Sequence, residues 1–278
     1  MKVALIGRSI GASLTPAMHE EEGRAQGLHY SYQLDDLATP SRAQVSLAEA
    51  LVSAEQSGCR GANVTYPYKQ EVLALLDEVS PDALAIGAVN TVLFKNGRRL
   101  GHNTDYIGFR AAFQAGLSDL PHDHALLVGA GGAGAAVGLA MIDAGVSHLY
   151  LHDKNSQAEQ RLAERLSVQR PNAEIFSWSG QENVYGVINA TPVGMAAYPG
   201  MAIDLGALPN LLWAGDIVYY PLETALLHAA KTRGLRIMNG GGMAVGQAAA
   251  AFELFSGQPA NAARMAAHFR QLTQQVGF

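Results

Sequence analysis

Residues Leu126-Leu127-Val128-Gly129-Ala130-Gly131-Gly132-Ala133-Gly134 run from an apolar strand into a glycine-rich turn, and an alanine-rich helix follows. The spacing Gly129-x-Gly131-x-x-Gly134 suits a dinucleotide site. It gives a tight turn, a backbone that can approach a pyrophosphate, and a helix N-terminus aimed at the phosphates. Gly129, Ala130, Gly131, Gly132, Ala133 and Gly134 are therefore the expected cofactor contacts. Asp153 ends the next strand, roughly 20 residues beyond the motif, where a carboxylate accepts hydrogen bonds from an adenine ribose. It would repel a 2′-phosphate, so NAD is expected in preference to NADP, with the neighbouring Lys154 softening the discrimination. The plainer reading of Asp153 is a cap on the next helix. More than a hundred residues precede the motif, room for a separate unit that presents a substrate.

The rest of the composition agrees with two units. The chain has 278 residues, 49% hydrophobic and 15% charged, which suits two well-buried domains of roughly 100–150 residues each. A net charge of −5 and the lack of a basic cluster argue against a nucleic-acid partner. Apolar runs are broken too soon to span a bilayer. The start, Met1 to Gly7, reads as a strand entering a turn rather than a signal peptide. The single cysteine, Cys59, excludes an internal disulfide and a multi-thiolate metal site, so a reducing, cytoplasmic setting is expected. His122 and His124 flank Asp123 in a polar connector, but no ligand cluster surrounds them and no metal is expected.

Strand and helix patterns alternate along the chain. Strands are expected at residues 3–6, 30–34 and 61–65, and helices at 16–26, at 43–57 and from Pro67. A hairpin joins residues 89–94 to the stretch around Leu100 through Asn96-Gly97, and a helix leaves from Asp105. A βα rhythm follows with strands at 125–128, 148–152, 184–189 and 215–218, and 237–242 closes the series. Helices at 244–255 and 260–274 end the chain. The expected fold is α/β: an N-terminal α/β substrate-binding domain over 1–102, completed by helices in 243–278, and a Rossmann-like doubly wound domain over 103–242.

In the first half, the informative residues sit at element ends. Pro16 fits a first helical position, which makes Thr15 the expected N-cap. Ser13 and Thr15 beside the free N–H groups of a helix start would form an anion site suited to a carboxylate. Alternatively, Thr15 only caps its helix and Ser13 is solvated. The run Asn63-Val64-Thr65-Tyr66-Pro67-Tyr68-Lys69 puts Lys69 in a first helical turn, the end the dipole disfavours for a cation. A residue held against local preference often has another task, although water can also tolerate an exposed lysine there. Asp105 opens a helix, where the dipole welcomes it.

Seven blocks follow one another in an order that resembles the shikimate/quinate dehydrogenase family. They are Ser13 to His19, Asn63 to Lys69, Gly87 to Thr91, Gly101 to Asp105, Asn189 to Met195, Asp216 to Pro221 and Gly242 to Gln247. The resemblance spans essentially the whole chain. It implies a substrate domain, a cofactor domain and a cleft between them. The reaction would be reversible NAD(P)-dependent oxidation of the C3 hydroxyl of shikimate to 3-dehydroshikimate, or of the corresponding hydroxyl of quinate to 3-dehydroquinate. By position, Ser13 and Thr15 match residues that hold the substrate carboxylate. Thr65, Asn90, Asp105, Tyr219 and Gln247 match those around its ring hydroxyls, and Lys69 with Asp105 matches the ionisable pair. Thr191, Val218, Gly240 and Met243 fall among the cofactor contacts. Two departures are informative. Thr15 stands where many shikimate dehydrogenases carry Ser, as in the NAD-linked quinate/shikimate branch. Asp153-Lys154-Asn155-Ser156 replaces the Asn-Arg-Thr-like run of NADP-using members. The family implies a small-molecule enzyme, monomer or homodimer, working in aromatic biosynthesis or in catabolism of plant-derived acids.

The chemistry needs such residues. Oxidising a secondary alcohol removes a hydride from carbon and a proton from oxygen, and a nicotinamide accepts only the hydride. Without a metal, a side chain must take the proton, and Lys69 is the best placed. An amine's ordinary pKa of about 10.4 is too high for base work near neutrality; burial lowers it and a carboxylate raises it. Two other functions fit the same plan. A folate-linked methylene dehydrogenase would show Tyr-x-x-x-Lys, but Thr65 stands at that tyrosine's place. A catalytically silent sensor of NAD or a metabolite would not need Lys69 and Asp105.

Overall fold

The computed structural model describes residues 1–275. Contacts divide the chain into two compact units: Met1–Thr104 together with the segment from Val245 onward, and Asp105–Ala244.

The first unit begins with β1 (Lys2–Gly7), α1 (Thr15–Ala25), β2 (Ser31–Asp36), α2 (Leu47–Gln56) and β3 (Gly61–Val64). It continues with β4 (Glu78–Val79), α3 (Pro81–Ile86), β5 (Thr91–Lys95) and β6 (Arg98–His102). The sheet order is β2-β1-β3-β5-β6-β4. β1 runs parallel to β2 and β3, whereas β5 is antiparallel to β3 and β6. Asn96 and Gly97 both take left-handed φ, 54° and 72°, the requirement of a two-residue hairpin turn. The helix expected at 43–57 starts only at Leu47, because residues 37–44 form turns and Ser46 and Glu49 close a capping box. One face of the sheet buries Ile6, Leu47, Leu51, Val64, Val72 and Val92. The other buries Val3, Leu5, Ile10 and Tyr32 against Ala251 and Phe255, so the C-terminal segment completes this unit.

The second unit contains β7 (His124–Val128), α5 (Gly132–Asp143), β8 (His148–His152), α6 (Ser156–Gln169), β9 (Glu174–Ser177), β10 (Gly186–Asn189), β11 (Trp213–Asp216), α7 (Ala225–Thr232) and β12 (Arg236–Met238). The chain passes between units within α4 (Thr104–Gly116) and α8 (Gly241–Ser256), and α9 (Ala262–Gln275) ends the described part. The sheet order is β12-β11-β10-β7-β8-β9 with every pair parallel. That is the doubly wound order, whose direction reverses between β7 and β10. Ligands bind at the carboxyl ends of strands at such a point. β11 ends two residues before the expected boundary, because the Val218 N–H turns back onto the Asp216 side chain at 2.9 Å. The closing strand stops at Met238, and Asn239 Oδ1 accepts the Gly241 N–H at 3.0 Å as α8 begins.

Candidate active site

In the first unit, the segment carrying Ser13 and Thr15 follows β1. It is held by Asp36, whose carboxylate accepts the N–H groups of Ser9 and Ile10 at 2.8 and 3.0 Å. Against the opposing effect of burial, backbone donors hold the Asp36 carboxyl below its ordinary range. Thr15 is not the N-cap. α1 opens at Thr15 itself, after Leu14 in helical conformation with no side-chain cap. The Thr15 N–H points to Ser13 Oγ at 3.4 Å. Ser13 and Thr15 therefore both stand at this helix start, with Ser13 Oγ on one of its N–H groups.

Lys69 does not lie in an α-helix. Tyr66–Pro67 is a cis peptide inside a turn over residues 66–70, where Tyr68 N–H donates to Thr65 O at 2.9 Å. Only a short 3-10 helix, Glu71–Leu75, follows. The helix-dipole argument for Lys69 therefore lapses, and tertiary hydrogen bonds place the residue instead. The Lys69 carbonyl accepts the Val89 N–H at 2.7 Å, and Val64 N–H donates to Asn90 O at 2.8 Å. Thr65, Lys69 and Asn90 thus sit on hydrogen-bonded neighbouring segments, with Thr65 and Lys69 half-buried and Asn90 buried.

Behind them runs a buried polar chain that sequence reasoning missed. Tyr32 Oη donates to Asn63 Oδ1 at 2.6 Å, and Asn63 Nδ2 donates to Thr91 Oγ1 at 2.8 Å. Thr91 Oγ1 donates to Asn90 Oδ1 at 3.0 Å, and that oxygen also accepts the Thr104 N–H at 2.8 Å. Asn90 in turn donates to Thr104 Oγ1 at 3.0 Å. Asn90 thereby fixes the residue preceding Asp105, which is buried in the first turn of α4. Two asparagines inside apolar runs were the available signal, since buried polar groups must find partners. Gln247 is half-buried on α8.

In the second unit, the three motif glycines have distinct reasons. Gly129 takes φ +108°, and a Cβ there would lie 2.9 Å from Ala190 O. A Cβ on Gly134 would meet Gly129 O at 2.0 Å, so helix and turn pack backbone to backbone. A Cβ on Gly131 meets nothing within 4 Å. Gly131 is the exposed N-cap of α5 and provides no side-chain cap. Open space before an uncapped helix start fits a phosphate-bearing group. Gly132 and Ala133 form the first turn of that helix.

Asp153 joins this turn directly: its Oδ2 accepts the Ala130 N–H at 2.6 Å and its Oδ1 accepts the Asn155 N–H at 2.8 Å. It does not cap α6; Asn155 does, accepting the N–H groups of Gln157 and Ala158. Lys154 is exposed. Thr191 follows β10 and donates N–H and Oγ1 to Asn189 Oδ1 at 3.0 and 2.7 Å. Val218 and Tyr219 follow β11; Gly240 immediately precedes α8 and Met243 lies in its first turn, both buried.

The connector histidines are held separately. His122 faces the carbonyls of Leu120 and Ala144 at 2.6 and 3.1 Å, whereas His124 stacks on His148 with centroids 4.0 Å apart. Among the described residues, no group of three or more His, Cys, Asp or Glu is arranged to hold a metal ion. No helix among them is long and apolar enough to cross a membrane.

Comparison with known proteins matches residues 5–92 to the shikimate dehydrogenase substrate binding domain and 240–268 to the shikimate 5′-dehydrogenase C-terminal domain. A shikimate dehydrogenase (NADP(+)) of Arthrobacter sp. (strain FB24) is 45% identical, covering 97% of this chain and 94% of that protein. A quinate/shikimate dehydrogenase (NAD(+)) of Corynebacterium efficiens is 43% identical, covering 97% and 98%. The structure of quinate dehydrogenase from Corynebacterium glutamicum in complex with NAD superposes with a TM-score of 0.91 at 40% identity, covering 98% and 99%. That of shikimate 5-dehydrogenase from Thermus thermophilus in complex with NADP(H) and shikimate gives 0.85 at 35%, again covering 98% and 99%. With its motifs in order, its fold matched end to end and full-length relatives at this identity, the chain belongs to the shikimate/quinate dehydrogenase family of oxidoreductases.

Proposed function

We propose that this enzyme reversibly oxidises the C3 hydroxyl of shikimate, and the corresponding hydroxyl of quinate, with NAD preferred over NADP. A bound nicotinamide dinucleotide supplies the hydride acceptor. Gly129 to Gly134 and the uncapped start of α5 hold its phosphates, Asp153 accepts from its adenine ribose, and Thr191, Val218, Gly240 and Met243 line the remainder. Ser13 and Thr15 take the substrate carboxylate. Thr65, Asn90, Tyr219 and Gln247 bind its hydroxyls. Lys69 exchanges the proton with the substrate oxygen, and Asp105 orients both lysine and hydroxyl. The two units divide these tasks between substrate and cofactor.

The observation that supports the reaction is that Thr65, Lys69 and Asn90 lie on neighbouring segments joined by backbone hydrogen bonds, two of them suited to a polyhydroxylated ring and the lysine able to move its proton. The cofactor preference rests on the carboxylate of Asp153 against the glycine turn, with no arginine in the Asp153-to-Ser156 run. Relatives of both nucleotide preferences match the chain, so the preference for NAD is read from Asp153 and not from the family.

The test is a spectrophotometric assay of shikimate and quinate, each with NAD and NADP. Turnover with NAD exceeding that with NADP is expected. Faster turnover with NADP overturns the cofactor assignment. No turnover with tight nucleotide binding makes the chain a sensor, and turnover of a methylene-folate substrate alone makes it the other dehydrogenase.

A further inference from the structure

Two buried polar residues with no assigned role end neighbouring strands of the second sheet, one of them at its reversal point. Asn189 ends β10 and Asp216 ends β11, and both are fully buried. Asn189 Nδ2 donates to Val193 O at 2.8 Å and to Asp216 Oδ1 at 3.0 Å, while its Oδ1 accepts Thr191 N–H and Oγ1. All four hydrogen-bonding positions of that amide are used. Asp216 Oδ1 also accepts the Val218 N–H at 2.9 Å, and its Oδ2 accepts Thr224 Oγ1 at 2.8 Å. Thr224 is the N-cap of α7 and accepts the Leu227 N–H. One amide and one carboxylate therefore tie together the loop after β10, the loop after β11 and the start of α7.

We propose that Asp216, acting through Asn189, is a positioning residue that fixes Thr191 and the Val218-Tyr219 segment in the arrangement the dinucleotide and substrate require. The inference rests on the reading of those residues as ligand contacts. Burying a carboxylate is costly, and burial raises its pKa to about 6 in spite of three donors. An apolar residue would spare that cost but would release all three donors at once. Gly194, at φ +108°, brings the same loop so close that a Cβ there would lie 3.1 Å from the Thr224 side chain and 3.6 Å from Asp216 Oδ2. The loop is thus packed onto the hub as well as bonded to it.

The geometry also specifies which replacement is tolerated. An asparagine at 216 can place its oxygen where Oδ1 accepts Asn189 and Val218, and direct its amide N–H at Thr224 Oγ1, because a hydroxyl both donates and accepts. An alanine can do neither.

The experiment compares wild type, Asp216→Ala and Asp216→Asn. Calorimetry measures binding of NAD alone, and hydrogen exchange follows the Thr191 and Val218 amides in the nucleotide-free protein. Asp216→Ala should weaken NAD binding about tenfold or more and speed exchange at both amides by a similar factor. Its KM for nucleotide and for shikimate should rise with kcat within about threefold of wild type. Asp216→Asn should restore binding to within about threefold of wild type. Unchanged binding and exchange in Asp216→Ala overturn the proposal, and so does an Asp216→Asn variant as impaired as the alanine, which would make the role electrostatic. If Asp216→Ala does not fold, Asn189→Ser takes its place with the same tenfold expectation, and unchanged binding there overturns it equally. Wild type that binds neither NAD nor NADP defeats the proposed function instead and is distinguished by that control.

Discussion

Asp153 Oδ2 accepts the Ala130 N–H at 2.6 Å, so the residue expected to read the adenine ribose also braces the glycine turn. Cofactor choice and phosphate-turn geometry therefore share one side chain. Asp153→Ala should lower kcat/KM with NAD by about tenfold to a hundredfold, because it removes two charge-assisted bonds to backbone as well as the ribose acceptor. Asp153→Asn keeps an acceptor for Ala130 while deleting the charge that opposes a 2′-phosphate. It should lose less with NAD and narrow the gap to NADP more cleanly. Steady-state kinetics with both nucleotides check this, and an unchanged NAD-to-NADP ratio in both variants would remove Asp153 from the specificity argument.

Lys69→Ala should lower kcat by about a hundredfold or more with little change in KM, the signature of a group that moves a proton in the transition state. Asp105→Asn should also fall mainly in kcat. Preserved kcat with a raised KM for shikimate would make Lys69 a binding residue, and the acid/base assignment would pass to another group. Initial rates across shikimate concentrations at saturating NAD separate the two outcomes.

Local signals made half of this site legible. The strand, glycine turn and helix from Leu126 onward are adjacent in sequence, and Asn96-Gly97 fixes its hairpin by φ alone. Ser46 with Glu49 caps α2 and Ser80 caps α3; neither cap entered the expected helix bounds, and no helix was expected at residues 81–86. Lys69 is different. Its carbonyl accepts the N–H of Val89, twenty residues further on, and residues 66–70 form a turn, so reading Pro67 as a helix start failed where a distant contact sets the backbone. The Asn189–Asp216 pair is 27 residues apart and meets only because β10 and β11 are neighbours.

Two buried groups give opposing pH dependence. His19 lies among Tyr30, Tyr32, Phe252 and Phe255, and burial pushes its pKa from 6.5 down to about 3. The unfolded imidazole therefore takes a proton below 6.5 that the folded one refuses. Its stability contribution is complete above pH 6.5 and is lost as pH falls toward 3. Asp216 has the opposite sign: its folded pKa of about 6 exceeds the ordinary 3.8, so the folded state binds the extra proton in that window and stability falls as pH rises through it. Between pH 7.5 and 4.5, His19→Phe should reduce the acid-induced loss of stability by about 3 kcal/mol, and Asp216→Asn should enlarge it by about 2 kcal/mol. Urea unfolding at the two pH values measures both, and parallel curves for wild type and variants would refute the assignment.

Gly131 and Gly134 separate binding from folding within one turn. A methyl at Gly134 must displace Gly129 O from 2.0 Å, a backbone atom that cannot yield without opening the turn. Gly134→Ala should therefore destabilise the protein by about 2 kcal/mol or more and abolish nucleotide binding together. Gly131 has φ −77° and ψ −172°, extended backbone that alanine adopts freely, and its added methyl enters empty space. Gly131→Ala should leave the melting temperature of the nucleotide-free protein within about 2 °C of wild type, since surface changes of this kind are worth under about 0.5 kcal/mol. Yet the same methyl stands where a pyrophosphate must approach the helix start, so NAD affinity should fall at least about tenfold. Thermal melts with and without NAD give both numbers. A Gly131→Ala protein that binds NAD normally would mean that the phosphates lie elsewhere, and the role of the turn would have to be reassigned.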